Sequence, residues 1–292
     1  MATLEELRQK VESTEQMQSV VKTMKTIAAV SIRQYEKAVE SLSDFNNTIK
    51  MGLKILLQHG PLKTRLPGGE KQGKKSVVVF GSDQGMCGQF NEQIASFTLE
   101  TLEKEAGEKE DIIVLAVGER VVPSLEEGGL EIRETFSVPS SIAGITPTVQ
   151  DIVLKIEQLQ LREHLTRVDL FHNRPLSGSS YQPRTLRLLP LDRKWLESLR
   201  QEKWPSNNIP ISTLAWENLF SGLVRYNIFV SLYRYMAESL SAENASRIAS
   251  MQNAERNIEE QLEELKARFR HERQQSITEE LLDIVSGFEA LS

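Results

Sequence analysis

The residues most suited to chemistry lie in a glycine-rich segment between an apolar run and a helical stretch. Residues 81–91 contain Gly81, Gly85 and Gly88 and the single cysteine, Cys87. A glycine-rich loop at a helix N-terminus can bind phosphate through its backbone amides. The segment matches neither GxxxxGK(S/T) nor GxGxxG, however. A structural turn that needs these glycines is therefore the better interpretation, and a nucleotide site is the alternative.

Cys87 could also act as a nucleophile, with His172 as the nearest candidate for its base. Nothing in the spacing supports this pair, and a lone cysteine usually packs as a small apolar residue. One cysteine excludes an intrachain disulfide and a cysteine-rich metal site. Of the four histidines none has an HExxH spacing. We therefore expect no catalytic site, no metal and no cofactor.

Composition argues against two further classes. Charged residues make up 26% and hydrophobic residues 39%, and the net charge of −6 gives no reason to expect nucleic-acid binding. No apolar stretch approaches the roughly 20 residues that span a bilayer. The first residues enter a helical pattern directly and do not resemble a signal or transit peptide. We expect a soluble chain that stays where it was made, unless a targeting segment has already been removed.

The elements that must position any site are dominated by two long terminal helices. From Thr3 to about Gln58 there is no proline, and Thr3 with Glu6 predicts a capping box. Apolar or small residues recur every seven positions, and a second track runs beside them at spacings of mostly seven, a pattern typical of a coiled-coil seam. The first track is Leu7, Thr14, Val21, Ala28, Tyr35, Leu42, Ile49 and Leu56; the second is Leu4, Val11, Met17, Met24, Ile32, Val39 and Leu53.

The second long helix is predicted from about Thr213 to Ser286, a run without proline and with Gly222 as its only glycine. Helices of this length, on the order of 80 and 100 Å, need a partner helix. The simple solution is that the first and last helices pair antiparallel with each other.

The middle of the chain alternates between strand and helix signals. Strands are predicted at 76–80, 112–117, 130–136, 167–173 and 181–189, and helices at 91–104 and 146–161, the latter opening at Thr146-Pro147. This alternation favours a small, mostly parallel sheet with helices on its faces. The fold class is thus α/β: a long antiparallel coiled coil plus a central Rossmann-like lobe. The predicted domains are an N-terminal helix (1–58), a linker (59–75), the α/β domain (76–205) and a C-terminal helix (206–292).

The end of the second helix carries an unusual pattern. A polar patch, Arg273–Ser276, precedes the apolar stretch Leu281–Phe288. An apolar final turn on a helix longer than its partner has to be buried against something else. We therefore interpret this end as a segment that inserts into another protein.

Four segments in order along the chain support a resemblance to one family. They are Lys22–Ala29, Ser82–Asn91, Glu243–Met251 and Arg273–Leu291. They resemble, respectively, KAMKMVAA, SDRGLCGGFN, the ExxAARMxAM stretch and the C-terminal signature of gamma subunits of F-type ATP synthases. Departures occur at Gln84 and Gln89 and in two further stretches.

The departing stretches are Glu15–Val21, where the family has NTQKIT, and Ala254–Asn257, where it has TDNA. They indicate a divergent branch. The sequence of residues 18–24 is similar to the corresponding sequence in gamma subunits of the alternative, sodium-type bacterial ATPases. The cysteine pair of the light-regulated chloroplast form is absent.

The resemblance implies a non-catalytic central rotor shaft that couples ion flow through a membrane c-ring to ATP synthesis or hydrolysis on the beta subunits. It implies alpha, beta and epsilon subunits and the c-ring as partners, and a peripheral position on the cytoplasmic face of the plasma or thylakoid membrane. It also implies residues that face the beta subunits or couple the two helices, and an apolar end inside a sleeve of alpha and beta subunits. The expected contact residues are Met24, Lys25, Arg247, Arg273, Gln274, Thr278, Leu281, Ile284, Val285 and Phe288.

Two other functions stay open from sequence alone. One is a stand-alone nucleotide-binding enzyme built on the middle lobe. The other is a coiled-coil adaptor that homodimerises through its terminal helices.

Overall fold

A computed structural model describes most of the chain: residues 3–59, 73–105, 112–176, 180–205, 208 and 214–289. The predicted linker 59–75 falls largely outside the described residues. Contacts divide the chain into two compact units. One comprises residues 1–28 with 247–292, and the other comprises residues 29–246. The division into domains 1–58, 59–75, 76–205 and 206–292 stays a prediction.

The N-terminal segment forms two helices, α1 (Leu4–Ser41) and α2 (Ser43–His59). The predicted capping box is confirmed, since the Thr3 amide donates to Glu6 and the Glu6 amide donates to the Thr3 hydroxyl. The prediction of one unbroken helix is wrong at Leu42, where the helix is interrupted. Serines flank this position, and the Ser41 hydroxyl donates to the Ala38 carbonyl at 2.8 Å. Such local side-chain bonds compete with helical backbone pairing.

The C-terminal helix α7 runs from Trp216 to Glu289, a single helix of 74 residues. It confirms the long run predicted from sequence. Within α7 the residues 239–247 are all buried, although they include serines, Glu243, Asn244 and Arg247. The same helix is exposed at every described side chain from Arg273 to Ser286.

The central sheet has five strands in the order β3-β2-β1-β4-β5. Their bounds are Lys75–Phe80 (β1), Ile112–Val117 (β2), Ile132–Phe136 (β3), Arg167–Pro175 (β4) and Tyr181–Leu189 (β5). The first four strands are mutually parallel, and β5 pairs antiparallel with β4 at one edge. The predicted strands and the mostly parallel sheet are confirmed.

Helices cover both faces of this sheet. They are α3 (Phe90–Lys104) and α4 (Val122–Glu127, after a 3-10 turn at Glu119–Val121) on one face and α5 (Ile142–Glu163) on the other. The helix α6 (Arg193–Gln201) packs instead against α2. The prediction that α5 opens at Thr146 is wrong, because the cap is Ser141 and Pro147 lies inside the helix. The short helices α4 and α6 were not predicted. Asp192 caps α6 by accepting a hydrogen bond from the Lys194 amide.

Alternate residues of the central strands build two separate cores. Val78 and Phe80 of β1 face a core that includes α5 and the α7 residues Leu232 and Met236. Val77 and Val79 of β1 face a second core with α3 and α4. A strand buried on both faces reads as a continuous apolar run, which is why β1 and β2 were evident in the sequence.

Candidate functional site

The first unit is an antiparallel pair formed by the start of α1 and the later part of α7. Three polar contacts define the pairing: Glu15 with Lys266 at 2.6 Å, Gln18 with Glu259 at 3.2 Å and Lys25 with Glu255 at 2.5 Å. The partner on α7 moves backward as the position on α1 moves forward, so the helices are antiparallel. The pairing predicted between the first and last helices therefore occurs within one chain.

The seam of this pair follows one predicted track closely. Leu7, Thr14, Val21 and Ala28 are all buried at spacings of seven. On α7, Met251 and Leu262 of the same unit are also buried. A seam filled within the chain leaves no reason to expect homodimerisation through these helices, as the adaptor hypothesis requires.

The second predicted track is wrong over its middle part. Met17 is 52% exposed, whereas its neighbour Gln18 is partly buried and contacts Glu259. One heptad later Lys25, not only Met24, lies at the seam and contacts Glu255. A strict period of seven through Val11 places polar residues at these positions. The sequence reasoning chose the adjacent methionines because it favoured apolar side chains over constant spacing.

The last turns of α7 extend beyond the start of α1. Extrapolating the three contacts at equal rise per residue places Thr3 beside roughly residue 276 of α7. The α7 residues after that point have no α1 residue opposite them among the described residues. Several large apolar side chains are exposed there. They are Ile277 at 48%, Leu281 at 58%, Leu282 at 59%, Ile284 at 58% and Val285 at 53%.

We define the apolar tip as residues 277–289. Of the polar residues predicted as contacts, Arg273 and Gln274 precede the tip and Thr278 lies within it. Arg273, Gln274 and Thr278 are exposed, and the Thr278 hydroxyl donates to the Gln274 carbonyl at 2.9 Å. The Phe288 side chain lies outside the described residues. Exposed apolar side chains at helical spacing, preceded by an arginine and a glutamine, can dock into an apolar socket with a polar rim.

The predicted contact residues nearer the middle of the chain are placed differently. Arg247 is 9% exposed, and Met24 is partly buried. The Lys25 ammonium is 2.5 Å from a Glu255 carboxylate oxygen. The structure thus separates the exposed residues of the tip from residues engaged inside the chain. The sequence analysis did not identify Glu255 or Glu259 as contact residues. Glu255 lies within the stretch that corresponds to the family's TDNA, and Glu259 lies two positions after that stretch.

The glycine-rich segment 81–91 is closed by its own hydrogen bonds. The Asn91 carboxamide accepts from the Ser82 amide and donates to the Ser82 hydroxyl, both at 2.9 Å. Asp83 accepts from the amides of Glu119 and Val138 at 2.9 and 2.8 Å. Gly81 lets the 3-10 turn approach, since a Cβ there would lie 2.6 Å from Val121. The Ser82 amide and the Asp83 carboxylate are thus engaged within the protein, which favours the structural interpretation.

Cys87 and His172 have separate surroundings. Cys87 is 2% exposed, and its sulfur lies 3.5 Å from the Ser82 hydroxyl. The His172 ring packs on Tyr235 with centroids 4.7 Å apart, and its Nε2 lies 3.6 Å from a Glu238 carboxylate oxygen. Both residues therefore act in packing. Among the described residues no group of three metal-ligating side chains is brought together.

Glu238 is a largely buried carboxylate that contacts His172 and Arg234. Its burial opposes ionisation, but His172 and Arg234 favour the charged form more strongly, so the pKa of Glu238 lies below its ordinary value. Arg234 donates to it at 2.9 Å. The contact between His172 and Glu238 ties one turn of α7 to β4, whereas the bond from Arg234 lies within α7. In the part of the chain that the structure describes, no helix is long and apolar enough to cross a membrane.

Comparisons with known proteins agree with this architecture. A family model described as ATP synthase matches residues 3–291. The chain is 26% identical over 298 residues to the ATP synthase gamma chain of Nautilia profundicola, covering 100% of this chain and 99% of that one. It is 27% identical over 300 residues to the gamma chain of Beijerinckia indica, covering 100% of both.

Solved structures show the same fold at low sequence identity. The rotor of the Euglena gracilis mitochondrial ATP synthase aligns with a TM-score of 0.63 at 14% identity, over 94% of this chain and 98% of that one. The central stalk and c-ring structure from Tetrahymena thermophila aligns with a TM-score of 0.60 at 20% identity, over 80% and 99%. At these identities the likeness supports the fold.

Proposed function

The chain belongs to the ATP synthase family, and from this premise we propose that it is the gamma subunit, the central rotor shaft of an F-type ATP synthase. It couples ion flow through a membrane c-ring to ATP synthesis or hydrolysis on the beta subunits. It contributes no catalytic group. The protein is part of a membrane-associated complex, and we place it on the cytoplasmic face of the plasma or thylakoid membrane.

The observation that carries this proposal is the exposed apolar tip on a family member matched from end to end. Leu281, Ile284 and Val285 are each more than half exposed on a helix whose partner has already ended. Burying such side chains contributes ~1.5–3 kcal/mol each relative to leaving them in water. A socket of alpha and beta subunits supplies that burial while the shaft turns.

The proposed contact residues divide by chemistry. Arg273 and Gln274 form polar contacts at the rim of the socket, since an arginine fork can grip carboxylates or backbone carbonyls while staying charged. Thr278 and the apolar tip, with Phe288, lie inside it. Met24, Lys25 and Arg247 lie farther from the tip, where they face the beta subunits or couple the two helices.

Coupling follows from differential contacts. A shaft that touches the three beta subunits unequally stabilises a different state in each of them, and rotation moves that bias from site to site. The lobe lies nearer the epsilon subunit and the c-ring. Ion flow turns the ring and the shaft together.

The first test changes the rim of the socket. The complex carrying Arg273→Ala with Gln274→Ala is reconstituted into liposomes, and ATP-driven ion pumping is measured against ATP hydrolysis. We expect pumping per ATP hydrolysed to fall while the helix content of the chain is unchanged, because both side chains are exposed in the chain itself. Full pumping would contradict the proposal.

A matched control lies on the same helix. Arg268→Ala with Gln261→Ala removes the same side-chain types from exposed positions of α7 that lie before the tip. We expect a weaker effect on coupling from this variant. Equal loss in both pairs would mean that the rim has no special role.

A second test identifies the partners. The tagged chain is isolated from gently solubilised membranes of its native host and analysed by mass spectrometry. Stoichiometric alpha, beta and c subunits are expected, and recovery of the chain alone or as a homodimer would reject the shaft. We also propose the sodium-type branch, and sodium dependence of the recovered ATPase tests it.

A further inference from the structure

The seam between α1 and α7 in the first unit contains two consecutive polar positions. Gln18 and Lys25 occupy successive seven-residue steps of the track that begins at Val11. The first track of α1 supplies two buried side chains near these positions. They are Val21, between Gln18 and Lys25, and Ala28, after Lys25. Polar side chains therefore interrupt the apolar track of α1 in this stretch.

Lys25 and Glu255 meet within this stretch. Their charged groups are 2.5 Å apart, and their side chains are 33% and 17% exposed. The hydrogen bond from Lys25 lowers the pKa of the Glu255 carboxyl, and the charges of Lys25 and Lys22 act in the same direction. The carboxylate is thus held in its charged form beside an ammonium group that bridges the two helices.

The other two contacts of the pair differ in exposure and chemistry. The side chains of Glu15 and Lys266 are both about half exposed, at 49% and 50%. Solvated ion pairs of this kind contribute little, typically ~0–1 kcal/mol. Gln18 and Glu259 form an exposed hydrogen bond that carries one charge. Lys25 and Glu255 are therefore the contact with the greatest capacity to hold this part of the pair.

We propose that Lys25 and Glu255 are a positioning pair that clamps α1 onto α7 where the apolar seam is interrupted. Glu255 comes from the stretch Ala254–Asn257, where this chain departs from the family motif. Glu255 stands where the TDNA motif has its aspartate, and it places a carboxylate beside the Lys25 ammonium group. Lys25 is consequently an internal residue of the helix pair, and its ammonium group does not serve a partner subunit. This inference concerns the chain itself and does not rest on the proposed function.

The test measures the distance between the two helices in the full chain. Nitroxide labels are attached to cysteines introduced at Met17 and Glu263, both exposed, with Cys87→Ser as the background. Double electron–electron resonance then gives the distribution of label distances. Lys25→Glu places two carboxylates opposite each other across the seam. The axes of packed helices lie ~8–10 Å apart. We expect the mean distance to move outward by more than ~3 Å, a third of that interaxial distance.

Exchange of the two charges is the decisive variant. Lys25→Glu with Glu255→Lys restores an opposite-charge pair, and we expect the parent distribution to return. Lys10→Glu makes the same charge change at an exposed position of α1 outside the seam, and it should leave the distribution unchanged. An unchanged distribution in Lys25→Glu, or failure of the exchange to restore it, would overturn the proposal.

Circular dichroism of each variant checks that the helices persist. If Lys25→Glu lowers the helix content, Lys25→Gln replaces it, because this variant removes the positive charge without adding a negative one. A smaller outward shift is then expected in Lys25→Gln. A parent-like distribution in Lys25→Gln together with normal helix content would equally overturn the clamp.

Discussion

Two stretches of the single helix α7 reverse the usual relation between polarity and burial. Residues 239–247 are completely enclosed, yet they include Ser, Glu, Asn and Arg side chains. Residues 277–285 are exposed, yet they include five large apolar side chains. Neither stretch would be assigned its environment from its composition. The difference teaches that the burial of a long helix is determined by the neighbours available at each turn.

The enclosed stretch is built around small side chains and specific hydrogen bonds. Ala242 is fully buried and packs with Cys87 and Phe90. The Ser246 hydroxyl donates to the Cys87 carbonyl at 2.6 Å. Here the lobe approaches the helix closely. Among the described residues the exposed tip has no such neighbours, and its apolar side chains are available to a partner.

The largest expected effect contrasts a buried leucine of α7 with an exposed one. Leu232 is fully buried in the main core, so Leu232→Ala should lower the free energy of unfolding by ~2–5 kcal/mol. Leu281→Ala at 58% exposure should change it by less than ~0.5 kcal/mol. Urea denaturation of the isolated chains measures both. A large loss from Leu281→Ala would show that the tip is buried by this chain.

The next prediction tests how closely the lobe encloses the helix. Ala242→Leu should cost ~1–3 kcal/mol, because the added atoms meet a filled space. Ala267→Leu adds the same atoms at an exposed position of α7 and should have little effect. Thermal unfolding of the two variants compares them directly. Equal stability of both would indicate that residues 239–247 have room around them.

A smaller effect isolates one hydrogen bond of the enclosed stretch. Ser246→Ala should lower the free energy of unfolding by ~1 kcal/mol, since it leaves the buried Cys87 carbonyl without this donor. The matched change at the exposed tip is Thr278→Ala, whose hydroxyl bonds only within its own helix to Gln274. We expect no loss there beyond ~0.5 kcal/mol in denaturant unfolding. A loss as large in Thr278→Ala would remove the distinction.

The smallest effect is a dependence on pH at the edge of the enclosed stretch. The pKa of Glu238 is lowered on folding, so its stabilisation is present above the ordinary pKa of 4.5 and is lost as the pH falls through the folded value. Unfolding free energies measured from pH 7 to pH 3 should fall less steeply in Glu238→Gln than in the parent. Glu279→Gln, an exposed position of α7, gives the effect of losing a carboxylate elsewhere. Parallel curves for Glu238→Gln and the parent would contradict the assignment.

The sequence allowed the regular elements to be predicted where one physical rule dominated. Strands buried on both faces gave continuous apolar runs at residues 76–80 and 112–117, and the absence of proline indicated the long helices. The short helix α6 was missed because it has only nine residues, although Asp192 at its cap is a helix start signal. The start of α5 was placed too late because Pro147 was assigned to the first turn.

The candidate site was predictable in part. An apolar stretch at the end of a helix longer than its partner predicted the exposure of Leu281 and its neighbours. The polar seam at Gln18 and Lys25 was not predicted, because a heptad rule based on hydrophobicity selects the methionines beside them. Glu259 and Glu255 are recognised as the partners of Gln18 and Lys25 only when the antiparallel alignment of the two helices is known.

The continuity of α7 has a consequence for how its tip becomes ordered. An isolated helix of ~12–15 residues is marginal in water, because forming its first turn is unfavourable. The residues beyond roughly position 276 continue a helix of 74 residues that is already formed, so they only propagate existing structure. The tip can therefore form turn by turn on the existing helix without a new nucleation event.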